Sequence, residues 1–261
     1  MLIDSHCHLD FSCFDSDRAE VLQRCHQQQI NTIVIPGTQA CTWQKQIDLC
    51  HSYPQLRFAL GLHPYFLNDY NAEHLTQLDS LLSLQKHKVV ALGEIGLDHN
   101  IDVDWTLQVN IFTKQLQMAK EHNLPVILHH RNSHNDLIRI LKAEKFNQGG
   151  IIHAFSGSLQ EALTYIALGF KIGVGGGITY ERANKTRNTI KQLPLESLVL
   201  ETDSPDMPLM GKQGQRNSPE YLTEILDVLT KLRSESTHNI GINCTTNVRA
   251  SLANLKSDFV A

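Results

Sequence analysis

The sequence predicts an α/β protein of the (β/α)8 TIM-barrel class, and three observations carry that prediction. Eight short apolar runs alternate with segments of helical spacing along 261 residues. The runs are nearly continuous in Val, Ile and Leu, as parallel strands covered on both faces require. Polar side chains suited to metals finish several of the runs, and they do so at the end where barrels of this class carry their chemistry. No GxGxxG follows a run, so an open dinucleotide-binding sheet is the weaker alternative. No low-complexity linker or internal repeat divides the chain, which reads as one domain over 1–261.

Taken in order, the predicted strands are 2–4, 32–36, 57–62, 89–93, 126–129, 151–154, 171–175 and 198–202. Helical spacing is predicted over 17–29, 42–52, 72–86, 105–122, 134–145, 158–168, 181–192 and 218–233, with a closing helix near 239–254. The clearest amphipathic stretch is the fourth, where Leu107, Ile111, Leu116, Met118 and Ala119 fall mostly on one face. Ser218 and Pro219 read as an N-cap followed by proline at the first helical position.

Composition narrows the function classes. The chain is 41% hydrophobic and 19% charged, ordinary for a globular protein, with a net charge of -4. That charge gives no global attraction to nucleic acid, so a polyanion would need a local patch or bound metal. The six cysteines form no CxxC pair, and no signal peptide precedes the first strand; reduced thiols and a cytoplasmic location are expected. No apolar run is long enough for a membrane span, and no obligate protein partner is indicated. A monomer is expected.

The chemistry is read from the strand ends. The first run leads into His6 and His8, which alternation sends to one face while Cys7 goes to the other. The fourth leads to Glu94, a carboxylate too costly to bury without a partner. The fifth ends in His129, His130 and Arg131; spacing alone does not separate the two histidines. His153 ends the sixth and Asp203 follows the eighth. Imidazoles and carboxylates gathered at one end of a barrel make a site for divalent cations. His63, before Pro64, and Arg131 are candidates for contacting a substrate phosphate or leaving group, with a turn histidine and a structural ion pair as the plain alternatives. Gly176, in the Gly175–Gly177 run after the seventh strand, is a candidate for phosphate binding through backbone amides. Arg182, Lys185, Arg187 and Lys191 form a small basic cluster that reads first as a solvated helix face. No aromatic stacking platform is evident.

These stretches together resemble the TatD family of metal-dependent hydrolases, within the amidohydrolase-like TIM-barrel group. The resemblance rests on Leu2-Ile3-Asp4-Ser5-His6-Cys7-His8-Leu9-Asp10, on Pro125 through Arg131, and on Pro194 through Pro205. Gly93-Glu94-Ile95-Gly96-Leu97-Asp98 and His153-Ala154-Phe155-Ser156-Gly157 add to it, and 171–176 and 206–209 look like a YjjV-like branch. It implies His6, His8 and Asp203 on one metal, His129 and His153 on a second, and Glu94 bridging both. It also favours His129 over His130, and drops Asp4 to a supporting role. Two divalent ions (Zn, Mn or Mg) with Asp203 as general base would then hydrolyse a phosphodiester of DNA or a nucleotide. A small amide, lactone or ester is the alternative substrate, and a barrel without turnover a further one. After Arg131 the family pattern of a small residue and then an acid is replaced by Asn132-Ser133-His134-Asn135, with Asp136 one place later.

Overall fold

Every predicted apolar run contributes a parallel strand in the computed structural model, which describes residues 1–255. The strands are β1 (Leu2–Asp4), β2 (Ile30–Ile35), β3 (Leu56–Phe58) and β4 (Leu92–Asp98). They continue with β5 (Val126–Arg131), β6 (Gly150–Ile152), β7 (Phe170–Val174) and β8 (Leu198–Leu200). Regular pairing runs β1-β2-β3 and β4-β5-β6-β7-β8. Two seams close the ring. Leu60 bridges Leu92, with Gly93 N donating to Leu60 O at 2.9 Å. Ser5 N donates to Leu200 O at 3.0 Å and Asp203 N to His6 O at 2.9 Å, which joins β8 to β1.

Inside the ring, Ile3, Val34, Ile127, Ile151 and Val199 form one apolar cluster. Val248, Leu252 and Leu255 join it from the N-terminal end of the strands, where Ala253 N donates to Val90 O. That end is plugged, so only the C-terminal end is left for a site.

The helices are α1 (Arg18–Gln27), α2 (Trp43–Ser52), α3 (Ala72–Leu84), α4 (Trp105–Glu121) and α5 (His134–Ala143). They are followed by α6 (Leu159–Ala167), α7 (Asn184–Gln192), α8 (Leu222–Leu232) and α9 (Thr237–Ser251). Helix α6 starts on a capping box in which Ser158 Oγ accepts from Glu161 N and Ser158 N donates to Glu161 Oε2. Helix α4 buries Ile111, Leu116 and Ala119 of the predicted face against the barrel, with Phe112 beside them, while Leu107 and Met118 are half-buried. It also buries two glutamines. Gln115 accepts from Leu62 N at 2.8 Å and donates to Leu62 O at 3.1 Å. Gln108 treats Asp98 the same way, at 2.9 and 3.1 Å. Each satisfies both backbone groups of a residue in or next to the site.

Three expectations need correction. Strand β4 runs to Asp98, so Glu94 lies within the strand and not beyond its end. Glycine makes this possible: at Gly96 (φ 157°) a Cβ would stand 2.0 Å from His129 O, and its absence lets β4 and β5 stay paired. Strand β3 is shorter than predicted, ending at Phe58 before the chain turns toward His63. Ser218 and Pro219 do stand at the N-cap and first helical position, but of a 3-10 turn (Pro219–Tyr221) that leads into α8 at Leu222, and the Ser218 hydroxyl has no partner. All six cysteines are free. Among the described residues, no helix is long and apolar enough to cross a membrane.

Candidate metal centre

The strand alternation at the start of the chain has the predicted result. Cys7 is fully buried in the outer core, while His6 and His8 turn inward with their Nε2 atoms 3.3 Å apart. Asp4, just upstream, holds the two ends of the sheet together. Its carboxylate accepts from Thr202 Oγ1 at 2.6 Å, Thr202 N at 3.0 Å and His6 N at 3.2 Å. Asp203, next after Thr202, adopts φ 56° and brings Oδ1 within 3.4 Å of His6 Nε2 and 3.7 Å of His8 Nε2. The conformation is one that a turn aspartate adopts, and Asp206 N does donate to Asp203 O at 3.0 Å, but the position of its carboxylate against two imidazoles goes beyond closing that turn.

Glu94 sits between two groups. Oε2 faces His6 Nε2 at 3.1 Å and His8 Nε2 at 3.6 Å. Oε1 faces His153 Nε2 at 2.7 Å, His129 Nδ1 at 3.0 Å and His63 Nε2 at 3.3 Å. Three sets have the spacing to hold an ion: His6, His8 and Asp203; His6, Glu94 and His153; His63, Glu94 and His129. Donors held about 2.0–2.2 Å from a tetrahedral ion lie roughly 3.3–3.6 Å from one another. The edges at His6, His8 and Asp203 match that figure. Asp98 completes an outer support, its Oδ2 lying 3.0 Å from His129 Nε2 on the side away from Glu94.

The electrostatics point the same way. Burial alone would push the Glu94 carboxyl up, but the His153, His63 and His6 imidazoles hold it well below the usual carboxylate range. Burial opposes a proton on His153, yet Glu94, Asp203 and Glu201 together lift it to about 10. His6 is pressed down to about 4 by burial and by His153. Burial raises Asp203 to about 7. In the metal-free centre a proton on His153 thus supplies the positive charge that the carboxylates demand. A divalent cation would satisfy the same demand.

The centre opens into a cavity of about 860 Å³ at the C-terminal end of the barrel. His8, Glu94, His129, His153 and Asp203 line its floor. Arg131 is exposed on its wall, the one arginine or lysine among its described lining residues, against Glu94, Asp98, Asp203 and Asp206. His63 lies closer in than a substrate contact need be, on the Glu94 carboxylate itself. Gly176 is not on the cavity wall; it packs beneath Met207, where a Cβ would meet Met207 O at 2.7 Å. The basic cluster is also away from that wall: Arg182 covers the Tyr180 ring, and Arg187 donates to Ile178 O.

Residues that sequence reasoning left out of the site come together here. Asp98 was legible in principle, four residues beyond Glu94 on the same face of a strand. Glu201 is buried under His153, with Oε1 accepting from Ala154 N and Oε2 unpartnered. Phe11, Tyr65 and Phe66 line the mouth, Phe11 stacked on the His8 ring at 4.8 Å and Tyr65, 61% exposed, edge-on to Phe66 at 5.1 Å.

A family model described as TatD related DNase matches residues 3–253. An Escherichia coli K12 protein, described as the uncharacterized metal-dependent hydrolase YjjV, is 46% identical over 91% of this chain and 92% of its own. A Haemophilus influenzae protein described as an uncharacterized metal-dependent hydrolase is 38% identical over 89% of this chain and 92% of its own. The crystal structure of the Escherichia coli K12 YjjV, described as a TatD homolog, superposes with a TM-score of 0.93 at 45% identity, covering 96% of this chain and 97% of that one. The barrel, the clustered imidazoles and carboxylates, and these likenesses agree: the chain belongs to the TatD-related DNase family of metal-dependent hydrolases.

Proposed function

We propose that this protein hydrolyses phosphodiester bonds of DNA or nucleotides with two divalent cations, one held by His6, His8 and Asp203 and the other by His129 and His153, with Glu94 shared between them. The observation that carries the reading is the position of Glu94, whose two oxygens each face a separate group of imidazoles at 2.7–3.6 Å. His63, at 3.3 Å from Oε1, adds a further imidazole to the second group. Bound cations would supply Lewis acidity and ionise water near neutral pH. Asp203, with its side chain 13% exposed toward the cavity, is placed to accept the proton from the attacking water. Asp98 orients His129, and Arg131 offers a planar pair of donors to a phosphoryl group in the cavity. Nitrogen donors favour Zn or Mn over Mg, and elemental analysis decides the ion.

The test is metal content per chain, followed by turnover on single-stranded DNA and dinucleotides for the wild type and Asp203→Asn. Two equivalents of metal, with turnover lost in the variant while metal is kept, support the reading. Full turnover by a metal-loaded Asp203→Asn sinks the general-base role.

The single cation on the cavity wall favours a second reading, a small carboxylic ester, lactone or amide hydrolysed at the same centre. Salt separates the two. A DNase that grips several phosphates loses affinity steeply as salt rises, and an enzyme for a small neutral substrate does not.

A further inference from the structure

A second cavity lies beside the metal centre, about 200 Å³ against about 860 Å³ for the first. Ala154, Ser156 and Met207 line both, so the two share a wall. Beyond that wall, Phe155, Val174, Ile178 and Ile190 give the smaller cavity carbon surfaces. Its side-chain hydroxyls come from Ser156 and Thr186; among the described residues no ionisable side chain lines it, and the Glu201 carboxyl lies behind the backbone of Gly173 and Gly175. Gly177 leaves one side open: a Cβ there would have only Met207 Cε near it, at 3.9 Å.

Met207 divides the two spaces. Its backbone stretch is pinned, because Asn217 Nδ2 donates to Asp206 O at 2.8 Å and the Tyr180 hydroxyl donates to Pro208 O at 2.7 Å. Its side chain is 37% exposed, and an unbranched thioether changes shape at little cost. An apolar cavity of about 150 Å³ stays dry and holds benzene, so the space here accommodates a six-membered ring or a branched alkyl group.

We propose that the smaller cavity is a specificity pocket, with Met207 as its movable partition, and that it takes an uncharged ring or branched alkyl substituent of the substrate cleaved at the metal centre. The proposal rests on the hydrolase reading above. It assigns Gly177 and Met207 to substrate choice, a role separate from that of the metal-facing residues.

Two measurements test it. Xenon pressure on crystals of the wild-type protein reads the pocket without turnover: a xenon site between Ile178 and Ile190 is expected, and its loss in Gly177→Val. Turnover reads selectivity, using methyl and phenyl p-nitrophenyl phosphate, with acetate and benzoate p-nitrophenyl esters for the second reading. The ratio of kcat/KM, phenyl over methyl, is expected to favour phenyl by roughly tenfold, the scale of a filled apolar pocket. Gly177→Val should bring that ratio down toward one, and Met207→Ala should admit a naphthyl group that the wild type rejects. A wild-type pocket without xenon, or a ratio unmoved by both variants, overturns the proposal while leaving the hydrolase reading intact. No turnover on any ester, with metal bound, removes the hydrolase reading and the specificity role together.

Discussion

Replacing Gln115 by leucine tests how the barrel positions its site. The two side chains are close in volume, so packing on α4 changes little. What is lost are the bonds to Leu62 N at 2.8 Å and Leu62 O at 3.1 Å, next to His63. Both backbone groups are left buried, because Leu62 is 4% exposed. An unsatisfied buried donor or acceptor costs about 1–3 kcal/mol, so the pair costs roughly 2–6 kcal/mol. For a domain of this size each kcal/mol moves Tm by about 2–4 °C, so a fall of at least about 4 °C is expected. The loosened turn should also let His63 drift from Glu94 Oε1, lowering metal occupancy. The assay is thermal unfolding of the metal-free and metal-loaded protein, with metal content measured by elemental analysis. If Gln115→Leu melts within about 2 °C of wild type, the glutamine is not what holds the turn, and the reasoning fails.

Four other outcomes are expected. Chelation should lower Tm by roughly 5–10 °C for each ion removed, because metal at about 100 times its Kd adds about 2.7 kcal/mol per site; a Tm insensitive to EDTA in a protein shown to lose its metal would count against a stabilising centre. The metal-free form should lose stability as pH rises from 7 to 9. In that window Glu201 (raised to about 8) and His153 (raised to about 10) hold protons in the folded state that the unfolded chain has released, while unfolded histidines with ordinary values are already neutral. Denaturant titrations that show stability rising across that range would contradict this sign. Tyr65→Ala should raise KM for oligonucleotides by on the order of tenfold through lost stacking, with Tyr65→Phe near wild type; equal KM values for all three would remove the ring from substrate binding. Gly96→Ala should destabilise by about 3 kcal/mol or more, since its Cβ would lie 2.0 Å from His129 O; a stable, metal-loaded variant would mean that the β4–β5 approach relaxes easily.

The barrel was legible because its strands are buried on both faces and therefore run as continuous Val, Ile and Leu. His6 and His8 were legible for an equally local reason, the period of two along a strand. The extent of β4 was not: the residues that let it continue, Gly93 and Gly96, read as punctuation until the neighbouring backbone is seen pressed against them. Gln108 and Gln115 were not singled out from the sequence, because their partners are backbone groups 10 and 53 residues away. The cavity mouth takes Phe11 from the stretch after β1 and Tyr65 and Phe66 from the stretch after β3, so no window along the chain contains all three. His63 was expected as a substrate contact at the mouth of the third strand, and it lines the cavity 3.3 Å from Glu94 Oε1. Which histidine of a strand end reaches a carboxylate depends on the turn, and Gln115 sets that turn.

The contact between Asp4 and Thr202 spans 198 residues. A ribosome delivers His6 and His8 first, Glu94 next and Asp203 last, so for most of synthesis the nascent chain carries the first two imidazoles without one of the two carboxylates that face them. The centre is complete only when the last strand docks beside the first. A chain truncated before β8 would lack both the Asp203 carboxylate and the Asp4–Thr202 contact, and with them the donor set of His6, His8 and Asp203.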